Sequence, residues 1–149
     1  MDIEYVRYDA ETLKQIEEVH DSHWLSGHVA FDDNAFPLAA MDGDLPVGFI
    51  YVSPQTLDYP LEQVKEAYIN IIEVLPDYQR RGIGQGLVLR AEDWAREQGF
   101  RQIRTHSNDK AVSAIHMWHK LNYGLCPHVF YAEEGCRGYW VAKALARDE

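Results

Sequence analysis

Apolar and polar residues follow two different periods along the chain, and each period predicts a different kind of element. Ile3 to Tyr8 alternates like an edge strand, and after Asp9 the apolar residues recur at helical spacing as far as His20. The stretch 21–34 has no period and is rich in His, Trp, Gly and Asp, which is typical of a loop over a pocket. The pattern predicts a strand, a helix and then an irregular loop.

The next part of the chain predicts three strands. Two apolar runs flank the turn residues Asp42, Gly43 and Asp44, which accept the dihedrals of a tight hairpin. A proline-containing stretch, 53–63, is expected to be a loop, and the run after it is nearly continuous and rich in β-branched residues, as in a central strand. The predicted strands are Ala35–Met41, Val47–Val52 and Ala67–Leu75.

The remaining residues predict two helices and three strands. Apolar residues recur every three or four positions from Ile83 until Gly99 stops the helix. A short strand, a second amphipathic helix and a terminal strand pair follow at 101–105, 111–121, 125–131 and 138–144. The order predicts an α+β fold, an α/β sandwich in which helices flank a mixed, mostly antiparallel central sheet with one right-handed strand–helix–strand crossover.

The composition predicts the domain organisation, the compartment and the partners that are not expected. The chain has 149 residues, 46% of them hydrophobic and 26% charged, which predicts a single folded domain over residues 1–149. A net charge of −10 makes nucleic acid and anionic membranes unexpected partners. The acidic N-terminus lacks the basic residues of a targeting peptide, and no apolar run approaches the length of a membrane span, so we expect a cytoplasmic protein.

Cysteine and histidine spacing predicts neither a disulfide framework nor a metal site. Cys126 and Cys136 lack C-x-x-C spacing, and we expect two reduced core thiols that face one another across a hairpin. The cluster His20, His23 and His28 lacks the H-x-x-x-H spacing of a helix-borne metal pair.

The junction between the central strand and its helix holds three glycines, Gly82, Gly84 and Gly86, in five residues. Glycine is unfavourable in helices, so such a cluster indicates unusual dihedrals or close backbone approach. Free N–H groups at a helix N-terminus can bind a pyrophosphate. Neither the Walker A pattern nor the G-x-G-x-x-G dinucleotide pattern fits these spacings.

Residues 74–84 read V-x-P-x-x-Q-R-R-G-I-G, which resembles the acyl-CoA motif Q/R-x-x-G-x-G/A of the GNAT superfamily of N-acetyltransferases. A second segment, Asn108 followed by a helix that ends in Trp118 to Tyr123, is similar to the family's N-x-x-A…Y-x-K-x-G-F ending. The resemblance extends over the whole chain. It implies acetyl-CoA as co-substrate, no metal, and an amine acceptor that is a small molecule or a peptide.

The resemblance also implies which residues bind CoA. Backbone amides of the turn would hold the pyrophosphate, arginine side chains would reach phosphate oxygens, and the pantetheine arm would enter between two splayed strands. Asn108 equally fits a helix cap or a loop turn. The predicted cofactor-binding residues are Val74, Gln79, Arg80, Arg81, Gly82, Ile83, Gly84, Gln85, Gly86, Asn108 and Trp118.

Acyl transfer to an amine requires a base, because alkylamines are mostly protonated at neutral pH. Glu73 is the first candidate among the polar residues of the central strand, which also include Tyr68 and Asn70, although it could equally be a solvated strand-end residue. His106 is the second candidate because imidazole titrates in the useful range. Val74 N–H is the candidate oxyanion donor.

Trp118 occupies the position where many family members have a tyrosine that protonates the CoA sulfur. An indole cannot give up its proton at neutral pH, so Tyr123, His116 or water would have to serve as the acid. This departure motivates an alternative function, a CoA-binding sensor or partner module with weak catalysis. Acidic residues in the loop 21–34 suit a cationic amine, and an exposed strand edge near the C-terminus favours a homodimer.

Overall fold

The computed structural model describes residues 2–130 and 136–145, which contain seven strands and three α-helices. Two short 3-10 turns, Leu25–Gly27 and Pro76–Tyr78, join some of these elements. The strands are β1 Ile3–Arg7, β2 Phe36–Asp42, β3 Leu45–Thr56, β4 Lys65–Val74, β5 Gln102–Asn108, β6 Gly124–Phe130 and β7 Cys136–Ala144. The helices are α1 Ala10–Val19, α2 Ile83–Glu97 and α3 Val112–Lys120.

The strands form one mixed sheet in the order β1-β2-β3-β4-β5-β7-β6. The pairs β1–β2, β2–β3, β5–β7 and β6–β7 are antiparallel, whereas β4 and β5 run parallel with α2 between them in the chain. The predicted α+β class with a mixed sheet is confirmed. Ala67 pairs with Ile103 and Tyr68 with Arg104 in the parallel pair.

Local sequence signals explain where several elements begin and turn. The carboxylate of Asp9 accepts a hydrogen bond of 2.9 Å from the amide of Thr12, so Asp9 caps α1. Gly43 has φ +60° in the predicted hairpin turn between β2 and β3. Gly48 on β3 leaves room for α2, because a Cβ there would lie 3.1 Å from Ile83 Cγ2.

Two expectations about where strands end are corrected. The strand β3 continues through Pro54 to Thr56, where a loop was expected from residue 53. The strand β5 extends to Asn108, so His106 and Asn108 lie in the strand and not after it.

The expectation for the cysteines is wrong in register and, for Cys126, in burial. Cys126 pairs with Trp140 across the β6–β7 ladder, whereas Cys136 pairs with Phe130. The thiol of Cys126 is free and exposed, so it is not part of the core. The cause is the length of the connection, which sets the register and which the sequence pattern does not fix.

The chain divides into two compact units. The first unit is Met1–Pro54 with Ile69–Trp94, and its core includes Leu13, Ile16 and Phe49. The second unit is Gln55–Tyr68 with Ala95–Glu149, and its buried residues include Ile103, Trp118, Tyr123 and Val141. None of the helices in the described part of the chain has the length and apolar composition that crossing a bilayer requires.

Candidate active site

The glycine-rich junction adopts a strand–turn–helix geometry within the first unit. After β4 ends at Val74, the backbone passes through a short 3-10 turn, and Arg80 and Gly82 then take left-handed dihedrals of φ +63° and +81°. Residues 79–82 are exposed, and α2 begins directly after them. The turn therefore presents the N-terminus of a 15-residue helix to its surroundings.

The first turn of α2 has the features that a phosphate site requires. The leading amides of an α-helix have no acceptor within the helix, which here applies to Ile83, Gly84 and Gln85. The amide of Gly86 is already used, because it donates to the carbonyl of Gly82 at 2.9 Å. Arg80 is exposed and precedes Ile83 by three residues, and a guanidinium suits phosphate oxygens.

Several side chains around the turn hold its shape. Gln79 donates its amide Nε2 to the carbonyl of Val74 at 3.0 Å, bridging the two ends of the turn. Tyr78 donates its hydroxyl to Asp42 Oδ2 at 2.7 Å, and this bond raises the pKa of Tyr78. The guanidinium of Arg81 lies 5.4 Å from the Tyr78 ring. Gln79 thus acts on the turn itself in this structure.

Gly86 on α2 lies against the side chain of Tyr5 on β1. A Cβ at this position would lie 2.7 Å from Cζ of Tyr5, so the helix approaches the Tyr5 ring as closely as a glycine allows. Arg90 completes the contact, with its Cζ 3.7 Å from the Tyr5 ring centroid and its Nη1 donating to the Gly86 carbonyl at 3.1 Å. The absence of a side chain at Gly86 therefore serves the contact between β1 and α2.

Glu73 lies on β4 directly before this turn, and its side chain is 41% exposed. His20 Nδ1 lies 3.8 Å from Glu73 Oε2, and the His20 side chain is completely buried. Glu73 was predicted as a candidate base, whereas nothing in the sequence indicated His20 as its neighbour. The pairing joins residues 53 positions apart, and only the fold brings them together.

His106 has a different environment in the second unit. Its Nδ1 lies 2.8 Å from the hydroxyl of Tyr68, and its ring meets Trp140 edge-on with centroids 6.1 Å apart. Partial burial lowers the pKa of His106, which favours a neutral imidazole at pH 7. A neutral imidazole can accept a proton, so His106 has the protonation state that a base needs.

The remaining predicted residues take part in packing or turns. Trp118 and Tyr123 are buried and meet edge-on, with ring centroids 4.9 Å apart. Asn108 accepts a hydrogen bond from the amide of Lys110 at 2.7 Å through Oδ1, as in a loop turn. Asn70 donates to the hydroxyl of Ser53 at 2.7 Å. No contact of these four side chains identifies a catalytic role.

The loop 21–34 of the first unit exposes aromatic rings among carboxylates. Trp24 is 51% exposed and meets His28 edge-on at 5.4 Å, while Phe31 is also exposed and lies against Tyr8. The carboxylates of the loop belong to Asp21, Asp32 and Asp33, which are all exposed. Such a surface is suited to a cation, because aromatic faces and carboxylates both attract positive charge.

A family model for the GNAT acetyltransferases matches residues 3–123, which is most of the chain. This chain belongs to the GNAT family. Among curated proteins, streptothricin acetyltransferase of Streptomyces lavendulae is 32% identical over 95 residues, covering 64% of this chain and 47% of that protein. Streptothricin acetyltransferase A of Bacillus subtilis (strain 168) is 33% identical over 57 residues, 38% of this chain and 33% of that protein. The matched part of this chain thus spans half or less of these relatives.

Solved GNAT structures have the same fold. Arabidopsis thaliana NAA60 with a bisubstrate analogue superposes with a TM-score of 0.81 at 16% identity, covering 99% of this chain and 100% of that one. The ribosomal-protein-S18-alanine N-acetyltransferase from Escherichia coli gives 0.77 at 16% identity over 99% and 97% of the two chains. These similarities confirm the acyl-CoA acyltransferase fold that the motif at residues 74–84 predicted.

Metal-ligating side chains are not grouped in the described part of the chain. Within residues 2–130 and 136–145, no three His, Cys, Asp or Glu side chains are grouped as a metal ion would require. His23 and Asp21 lie 3.4 Å apart, and both are largely exposed.

Proposed function

We propose that this GNAT protein transfers the acetyl group of acetyl-CoA to an amine by direct attack in a ternary complex, with Glu73 as the general base. The observation that carries the proposal is a half-exposed carboxylate on the penultimate residue of β4, directly before the turn that leads into the N-terminus of α2. A base and a phosphate-binding turn are thereby fixed to one continuous segment of chain, residues 73–86.

Each residue of the segment has a task in this proposal. Acetyl-CoA supplies the thioester that is broken. The amides of Ile83, Gly84 and Gln85 bind the pyrophosphate with help from Arg80, whose left-handed backbone sets the turn. Glu73 accepts the proton that the acceptor nitrogen loses as the new N–C bond forms and the C–S bond breaks. The amide of Val74 is the proposed donor to the oxyanion.

The loop 21–34 supports a cationic amine as acceptor. Its exposed rings, Trp24, His28 and Phe31, and its carboxylates favour positive charge, as does the net charge of −10. The curated relatives are named for streptothricin, and one neighbour of the same fold is named for an alanine of ribosomal protein S18. Streptothricin and an alanine-starting peptide are therefore the first two acceptors to test, followed by polyamines and amino acids.

A CoA-binding module with weak catalysis is the second candidate function. Trp118 stands where family members carry the acid, and it is buried against Tyr123, which is buried as well. Neither side chain offers an exposed proton donor to the leaving thiolate. Such a protein would bind acetyl-CoA and release thiol slowly with every amine.

A thermal-shift titration with acetyl-CoA and free CoA, followed by a thiol-release assay over the amine panel, tests both candidates. Ligand binding to the folded chain should raise Tm with the logarithm of ligand concentration. Binding with thiol release for one amine supports the transferase, and binding without release from any amine supports the sensor module. Without a shift from either ligand, the proposal fails.

Gly84→Trp is the variant that links binding to the turn. An indole on the first turn of α2 would occupy the space of the pyrophosphate, and we expect the Kd for acetyl-CoA to rise at least ~100-fold with an unchanged fold. Leu89→Trp is the matched control, since it adds the same ring at an exposed position farther along α2. Calorimetry measures both, and unchanged affinity in Gly84→Trp would exclude the turn as the phosphate site.

A further inference from the structure

His20 is held in one orientation by contacts on two sides of its ring. It follows α1 as the C-cap residue, and its side chain is completely buried. Its Nε2 lies 2.9 Å from the carbonyl oxygen of Pro46, and its ring meets Phe49 edge-on with centroids 4.9 Å apart. A ring fixed in this way has a defined direction for its second nitrogen.

The bond to Pro46 determines which nitrogen carries the proton. A carbonyl oxygen only accepts hydrogen bonds, so Nε2 must be the donor. In the neutral ring this leaves a lone pair on Nδ1, which is buried and has no hydrogen-bond partner among the described residues. That nitrogen lies 3.8 Å from Glu73 Oε2. In the neutral ring, two proton acceptors are thus close to one another with no proton between them.

We propose that His20 is a positioning residue that stabilises the proton that Glu73 collects, an inference that rests on Glu73 being the base. The proton leaves the acceptor nitrogen, forms an O–H bond on Glu73, and is then shared with the Nδ1 lone pair of His20. The half-exposed Glu73 side chain can rotate to shorten the 3.8 Å separation to hydrogen-bond length. After product release the proton returns to solvent through the exposed carboxyl group.

The groups packed around the His20 ring indicate that Glu73 is the carboxyl group that shares its proton with Nδ1. The strand β3 contributes the Pro46 carbonyl and the apolar Phe49 ring, and β4 contributes the carboxylate of Glu73. The helix α1 carries one buried carboxylate, Glu17, three positions before His20. Glu73 is the carboxylate that lies within 4 Å of His20 Nδ1 in the described part of the chain. Glu17 is therefore the control for any general effect of charge.

His20→Gln tests the role of Nδ1 separately from that of Nε2. The glutamine amide can still donate to the Pro46 carbonyl, but it places no acceptor near Glu73. With acetyl-CoA and the best amine of the panel, we expect kcat to fall about 10-fold and the KM for acetyl-CoA to stay within about twofold. The acid limb of the pH–rate profile should move to lower pH, because the proton on Glu73 loses its second acceptor. Glu17→Gln should leave that limb in place.

A double-mutant cycle distinguishes coupling from packing. In a Glu73→Gln background, His20→Gln should cause no further loss of kcat, since the proton it stabilises is no longer formed. Equal losses in both backgrounds, an unmoved acid limb or a limb that moves to higher pH would each overturn the inference.

Nitrogen-15 NMR of the histidine rings tests the geometry without any turnover. In the parent protein His20 should show protonated Nε2 and bare Nδ1, and Glu73→Gln should change the Nδ1 shift because its amide can donate to that nitrogen. An unchanged Nδ1 signal overturns the inference even if His20→Gln does not fold. Full activity of Glu73→Gln would instead refute Glu73 as the base, whatever the NMR shows.

Discussion

The two ends of β4 each carry a glutamate, and the two carboxyl groups have opposite surroundings. Glu66, in the second unit, is 1% exposed, and its oxygens accept hydrogen bonds from Arg104 Nε at 2.7 Å and Gln102 Nε2 at 2.6 Å. Glu73, in the first unit, is 41% exposed, and its described neighbour is a histidine nitrogen 3.8 Å away. The Glu66 carboxylate accepts hydrogen bonds from several donors, whereas the Glu73 carboxylate is accessible to solvent and can accept a proton.

This difference shows why position on a strand does not assign a role. Arg104 also places its Nη2 2.6 Å from Glu66 Oε1 and its guanidinium over Trp140 at 4.2 Å, so removal of Glu66 would leave a largely buried cation without its counterion. Glu73 has no such network and can exchange protons without disturbing the fold. We therefore expect Glu66 to stabilise the protein and Glu73 to act in turnover.

The largest effect that we predict is on stability. Glu66→Leu should lower the free energy of unfolding by about 3 kcal/mol, because Arg104, only 15% exposed, loses its partner. Urea unfolding measures the change. Glu62→Leu removes an exposed carboxylate of the same unit and should stay within about 0.5 kcal/mol of the parent. If Glu66→Leu kept full stability but lost kcat, the roles assigned to the two glutamates would be reversed.

The next effect is on turnover. Glu73→Gln should lower kcat by about 100-fold, because the amide cannot accept the proton of the acceptor nitrogen. Its Tm and its Kd for acetyl-CoA should match those of the parent, since the side chain is half-exposed and lies outside the phosphate turn. Steady-state kinetics with calorimetry checks all three quantities. A parent-like kcat would move the base to His106 or to water.

Local signals were sufficient for much of the fold. Asp9 caps α1, Gly43 turns the hairpin, and the spacing from Ile83 onward gives α2, because each of these features depends on neighbours within a few residues. The register of β6 and β7 depends on chain length and turn geometry, and the cysteine pairing expected from the sequence was therefore wrong.

In the candidate site, too, only the features that are continuous in sequence could be predicted. The glycine-rich turn is continuous in sequence and could be recognised there, as could Glu73 as a polar residue near the end of a buried strand. The contacts His20–Glu73 and Tyr68–His106 join residues 53 and 38 positions apart, so no local pattern predicts them. The contact of Gly86 with Tyr5 joins residues 81 positions apart, so no local pattern predicts it either.

The smallest effect should come from the second candidate base. His106→Gln keeps a polar group near the Tyr68 hydroxyl, and we expect kcat to change less than about threefold if Glu73 is the base. The pH dependence of the free energy of unfolding should change more clearly than kcat in this variant. Partial burial lowers the folded pKa of His106, so the unfolded chain takes up a proton first, and this residue destabilises the fold as pH falls below about 6.5. His106→Gln removes that contribution, and its stability relative to the parent should therefore rise between pH 7 and pH 5 in urea unfolding. A large loss of kcat with an unchanged pH response would instead identify His106 as the proton acceptor and leave Glu73 as a solvated strand-end residue.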